Sequence, residues 1–288
     1  MPATPLSMTT RLTATTLPYR RAVAYEVLAF NTATLSDNKI HDDEVARKFG
    51  FSGGLVPGVD VYAYLTHLPA ETWGLPWLER GTMRGRFHSP VFDGETVRVE
   101  VVGHDEADEG PRVRLELRNE RGELCAEGEA SLPTQAPEPP STGLWTDVPQ
   151  AKAPPPASPL SLPPGTAFGY AAHGFQADKH AAYLADVRET LRLYADEGVA
   201  HPGWLLRDAN YVLSANVRLG PWIHVESVTQ HHRLVRDGAV VQTRALVTRE
   251  WEHKGHRFVE LDVAVIADDE VAHRVRHTAI YQPRQVTT

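Results

Sequence analysis

One cysteine, Cys125, stands among 288 residues. An internal disulfide and a cysteine metal cluster are therefore both excluded. Apolar runs extend for only a few residues, well short of the ~20 that cross a bilayer, so no membrane partner is expected. The first twenty residues (MPATPLSMTTRLTATTLPYR) lack the apolar core of a secretory signal, and the expectation is a cytoplasmic protein. No Lys/Arg block occurs, and 29 basic against 37 acidic residues give a net charge of −8, which argues against nucleic acid as a partner. A small anionic ligand stays open, since a few arginines or a helix N-terminus can hold one locally. Neither a P-loop nor a dinucleotide fingerprint is present, so nucleotide hydrolysis and hydride transfer have no support. With 42% hydrophobic and 23% charged residues, the chain is not wholly disordered.

Proline is distributed unevenly. Eleven of the 22 prolines lie between Pro133 and Pro164, a stretch that cannot sustain helix or ladder hydrogen bonds and reads as an extended, semi-stiff connector. The expected organisation is a flexible N-terminus over 1–18, a first domain over 19–132, the proline-rich linker over 133–167, and a second domain over 168–285. Each domain is long enough for its own core.

The two halves share an order of elements. In the first, a strand is expected over 22–29, a short helix over 42–49 with acidic residues in its first turn, and a buried helix over 59–68. Strands follow over 82–87, 96–102, 113–117 and 124–132, separated by turn signals such as Asp93-Gly94 and Arg121-Gly122. In the second, helical periodicity over 180–194 is followed by an apolar helix over 204–215 and strands over 224–229, 239–249, 257–266 and 272–281. The segments 54–58 (GLVPG) and 198–203 (GVAHPG) correspond, each just ahead of a buried helix. A repeat of this size suggests a duplicated α+β unit, an antiparallel sheet wrapped around a helix.

The densest polar cluster is Ser36-Asp37-Asn38-Lys39-Ile40-His41-Asp42-Asp43. A carboxylate and an imidazole four residues apart in a loop can converge to hold and deprotonate a water. The alternative is helix capping, with Asp42 and Asp43 answering the helix dipole and Asp37 a plain loop carboxylate.

Together, Asn38-Lys39-Ile40-His41, the short helix ending at Gly50-Phe51, the segment 54–58 and the segment 86–97 (RFHSPVFDGETV) resemble the MaoC-like acyl dehydratases, the (R)-specific enoyl-thioester hydratases. The resemblance covers roughly 27–101, with three motifs in the family's order, and the second half resembles a diverged repeat. It implies a double hotdog: two antiparallel sheets, each wrapped around a central helix, paired side by side into a continuous layer. It also implies an Asp and a His, in an Asp-x4-His loop, that activate the water added across an enoyl thioester. A backbone N–H at the start of the central helix would polarise the thioester carbonyl. His41 matches the family histidine and Asn38 the asparagine before it. The aspartate position holds Ser36, with Asp37 one residue late; Lys39 replaces a proline, and the family's His-Gly appears as Pro57-Gly58.

On this resemblance the catalytic candidates are Asp37, His41 and Gly58, and the substrate-contact candidates are Ser36, Asn38, Pro57, Tyr62 and His201. The implied activity is that of a lyase on a CoA or acyl-carrier-protein thioester, with no cofactor besides the thioester as substrate; a homodimer is compatible with it. Thioester hydrolysis on the same scaffold, and acyl-thioester binding without catalysis, are the alternatives.

Other features read more plainly. The G-x-S-x-G pattern around Ser52 follows a helix instead of a strand, so it reads as a turn and not as a nucleophile elbow. His224, His231, His232, His253 and His256 lack ligand spacing and read as solvated strand faces, without a metal. Asp178-His180 and His201 sit where a second site would fall by the repeat. Asn210, inside an apolar helix, reads either as a partnered buried group or as a group facing a ligand tunnel. Tyr62, Tyr64 and Trp204 have core spacing, and Arg84 and Arg86 read as a solvated strand face.

Overall fold

Alternating apolar and polar residues, as in TVRVEVV and VRLEL, place one face of each strand toward apolar surface and the other toward water. In the computed structural model, which describes residues 24–34 and 36–284, that pattern builds one sheet. The first half contributes β1 (Tyr25–Leu28), α1 (Asp43–Lys48), α2 (Gly58–Arg80), β2 (Thr82–Phe87), β3 (Thr96–Ala107), β4 (Gly110–Asn119) and β5 (Leu124–Ser131). The second contributes β6 (Ala167–Gly174), α3 (Ala177–Asp186), α4 (Leu193–Glu197), α5 (Pro202–Ser214), β7 (Ile223–His231), β8 (Val240–His253), β9 (His256–Ala267) and β10 (Glu270–Gln282). The flexible segment expected over 1–18, and the start of the strand expected at Ala22, lie outside the described residues.

All ten strands join in the order β1-β3-β4-β5-β2-β7-β10-β9-β8-β6. The expectation of two sheets is corrected to one continuous antiparallel layer, as the side-by-side pairing had implied. The seam is β2 against β7, with Gly85 opposite Ser227, and it satisfies two edges that would otherwise be exposed. Helix α2 packs on β2 to β5 and β7, α5 packs on β6 and β8 to β10, and the two helices contact each other.

Four local features differ from expectation. Helix α2 continues past Pro69 to Arg80 because its later turns bury Trp73, Trp77 and Leu78; Gly74, at φ 57°, takes up the kink. The helix expected over 180–194 breaks into α3 and α4. Between them Arg188 adopts φ 56°, and Glu189 turns inward to His67 (2.8 Å) and His201 (3.5 Å). Strand β6 (AFGYAAHG) had no signal, being short, glycine-rich and at the sheet edge. The proline-rich stretch is irregular along much of its length, but it is docked: Trp145 is buried and donates from Nε1 to the Asp262 carbonyl at 2.9 Å.

Candidate active site

The loop 31–42 and the segment 54–58 are laced together by the backbone. Leu55 N donates to the Ile40 carbonyl, and Val56 N to the Val91 carbonyl. Gly54 is needed for this approach, since a Cβ there would sit 2.1 Å from the His41 carbonyl oxygen. Local capping is also present. Asn38 Oδ1 accepts from Ile40 N at 3.3 Å, and Asp42 Oδ1 accepts from Glu44 N and Val45 N at 3.0 Å.

This lacing fixes His41. Its Nδ1 is 2.7 Å from the Leu55 carbonyl oxygen, which can only accept, so Nδ1 carries the proton and Nε2 the lone pair. The Asn38 amide stands 3.3 Å from Nε2 and also donates to the Trp222 carbonyl at 3.0 Å. Burial pushes the His41 imidazole below its ordinary pKa, opposed by the Leu55 hydrogen bond and the charge of Asp60. Neutral at pH 7, with an Nε2 lone pair that faces the Asn38 amide at 3.3 Å, His41 can act as a base.

His41 lies in the wall of three cavities: an open one of about 820 Å³ bordered by Asp42, Asp43 and Ser52, and two that reach the other half of the chain. A cleft of about 770 Å³ between the halves is lined by Ser36, Asp37, Tyr170, Arg207, Tyr211 and Arg218, among others. A second compartment of about 280 Å³ is mainly apolar, with Ile40, Phe51, Leu55, Val61, Phe87 and Ile280 in its wall. Asn38, His41, Pro57, Asn210 and Trp222 line both. Gly58 opens α2 on the wall of the smaller one. There the Gly58 and Val59 amides precede the first bond to the Pro57 carbonyl, made by Asp60 N, and as the first amides of a helix they favour negative charge. Pro57 at the N-cap has no N–H to offer.

Ser36 and Asp37 line the same cleft as His41, whereas Tyr62 and His201 do not. Asp37 is exposed on the cleft wall with no hydrogen bond or ion pair to His41. Ser36 Oγ accepts from Asn38 N at 3.1 Å. Tyr62 is fully buried in the core and lines neither cavity. His201, also fully buried, caps its own helix by accepting from Gly203 N at 3.0 Å. His180 accepts from His201 N at 3.0 Å, and neither lines the two compartments.

His224 and His231, expected on solvated faces, are corrected to buried, because their strand face lies beneath the helices. His224 Nε2 meets Ser227 Oγ at 2.8 Å, and that hydroxyl meets His277 Nδ1 at 2.9 Å. The His224 ring also packs so tightly on Gly58 that a Cβ there would lie 2.9 Å from Nδ1.

Sequence reasoning missed the polar contacts that join the halves. Asp60, fully buried in the first turn of α2, accepts from Arg207 at 2.7 Å and from Thr32 Oγ1 at 2.6 Å. Two signals existed for it. An Asp opens an otherwise apolar helix, and Arg207, Asn210, Tyr211 and Ser214 form an i, i+3, i+4, i+7 stripe on α5.

No family model matches the sequence, and no curated protein matches it. Solved structures do resemble it. A MaoC-like dehydratase aligns with a TM-score of 0.61 at 12% identity, over 90% of this chain and 98% of the other. A conserved Mycobacterium tuberculosis protein described as a double hotdog aligns at 0.58 and 14%, over 91% and 96%. A protein named as a thioesterase from Novosphingobium aromaticivorans aligns at 0.52 and 12%, over 90% and 95%. At these identities the likeness is one of fold: this chain is a double hotdog.

Proposed function

We propose that the chain adds water to, or removes it from, an acyl thioester, interconverting an enoyl and a 3-hydroxyacyl group carried on CoA or on a carrier protein. The observation that carries this reading is the neutral His41, whose Nδ1 is committed to the Leu55 carbonyl and which lines both a mainly apolar compartment and a larger cleft with a greater polar share. An acyl chain fits the first environment and a pantetheine-like tail the second. The neighbours named as dehydratases and as a thioesterase support thioester chemistry as the common theme of the scaffold.

In the hydration direction, His41 Nε2 takes one proton from water as its oxygen bonds to C3. The C2–C3 π electrons move toward the thioester carbonyl, and the Gly58 N–H donates to the oxygen that gains charge. The proton on His41 then passes to C2, which leaves a 3-hydroxyacyl thioester and a neutral imidazole. Asp37 takes no part in orienting His41, because the Leu55 carbonyl holds that ring nitrogen.

The test is a two-channel assay with trans-2-enoyl-CoA substrates of increasing length, following loss of the conjugated double bond and release of free thiol in parallel. Hydration with no thiol release is expected. Thiol release from saturated acyl-CoA would instead identify a thioesterase, and tight binding with neither change would identify a binding protein.

A further inference from the structure

A water poised for attack has two protons, and His41 accounts for one. The family pattern would supply a carboxylate for the other, but here that position is Ser36, whose hydroxyl accepts from Asn38 N, and Asp37 points to the open cleft. The other half of the molecule offers a second acceptor.

Helix α5 supplies one candidate at the right place. Along its polar stripe Arg207 is tied to Asp60, whereas the Asn210 carboxamide makes no hydrogen bond among the described residues, and its Oδ1 is buried without a partner. A buried carbonyl oxygen left unpaired costs about 1–3 kcal/mol, which a ligand O–H would recover. Because no protein group holds either edge, rotation about χ2, a broad torsion for Asn, can turn Oδ1 toward the cavity. Asn210 and His41 also line both compartments.

We infer that Asn210 Oδ1 accepts the second O–H of the reacting water and afterwards holds the 3-hydroxyl of the product, so that the second half completes a site whose base lies in the first. This rests on the hydration reading. The proton that His41 removes travels to C2, and the one on Asn210 never leaves oxygen, so the atoms balance as before.

The experiment compares wild type, Asn210→Ala and Asn210→Asp by equilibrium binding of a saturated acyl-CoA and of the matching 3-hydroxyacyl-CoA, alongside enoyl-CoA hydration kinetics. Wild type is expected to prefer the hydroxy ligand by roughly five- to tenfold, the size of one hydrogen bond. Alanine should lose that preference, and kcat should fall with little change in KM. Aspartate, which can only accept when ionised, should keep both. A preference unchanged in Asn210→Ala overturns the inference. So does an Asn210→Asp variant as impaired as the alanine one, which would make the amide a donor. Since the binding preference needs no turnover, a wild type that hydrates nothing would sink the hydration reading and still leave Asn210 decided.

Discussion

Asn38 and Trp222 exchange two hydrogen bonds: Trp222 N donates to Asn38 Oδ1 at 3.1 Å, and Asn38 Nδ2 donates to the Trp222 carbonyl at 3.0 Å. The loop bearing His41 is thereby clamped to the strand that begins at Ile223 in the other half. Asn38→Ala should cost about 1–3 kcal/mol by leaving backbone groups of Trp222 unpaired. It should also lower turnover more than Asp37→Ala does. Urea unfolding midpoints and enoyl-CoA kinetics on the two variants check both statements.

Asp37→Asn should leave kcat nearly unchanged, far from the about 10²–10⁴-fold loss that follows removal of a proton-transfer group. The reason is geometric, since the exposed carboxylate makes no contact with the imidazole it would have to orient. A large loss in steady-state kinetics would restore Asp37 to the mechanism.

Asp60→Asn should be severely destabilising, by about 3–5 kcal/mol, because it leaves Arg207 at a buried interface without its counter-charge. Chemical denaturation at pH 7 measures it. Removing both partners with apolar residues of similar volume should cost less than removing one.

Acid should unfold the protein early. Burial holds His231 down at about 4 and His180 and His277 down at about 3, against about 6.5 in an unfolded chain. The unfolded state therefore binds more protons below pH 6.5. Stability from these groups is complete above that value and is lost progressively as pH falls toward 4 and then 3. Glu189 acts in the same direction at lower pH: burial would raise it, yet hydrogen bonds to His201 and His67 bring it to about 2. Denaturant midpoints at pH 7.5, 6 and 5 should decline in that order.

Cys125 is fully buried, and burial raises its thiol to about 11. It should resist thiol reagents in the native state and react at the unfolding rate in denaturant, which a timed labelling experiment reads directly.

The strands and the fold class were legible because strand alternation is a local signal, and all nine expected strands correspond to strands of the sheet. Strand β6 was not, since AFGYAAHG lacks alternation and forms by pairing with β8 across a long separation. His41 and Gly58 could be located from motif order. The partners that define them could not: the Leu55 carbonyl is a backbone group, and Trp222, Asn210 and His224 come from the other half of the chain. Buried Glu189 likewise sat within a convincing helical period, and one of the histidines that turn it inward, His67, lies 122 residues away in sequence.

Hydration of a short trans-2-enoyl-CoA by His41→Ala, in a variant whose melting transition matches wild type, tests the central claim most directly. The account predicts that turnover falls by about 10²-fold or more; turnover equal to that of wild type would remove the imidazole from the chemistry and contradict it.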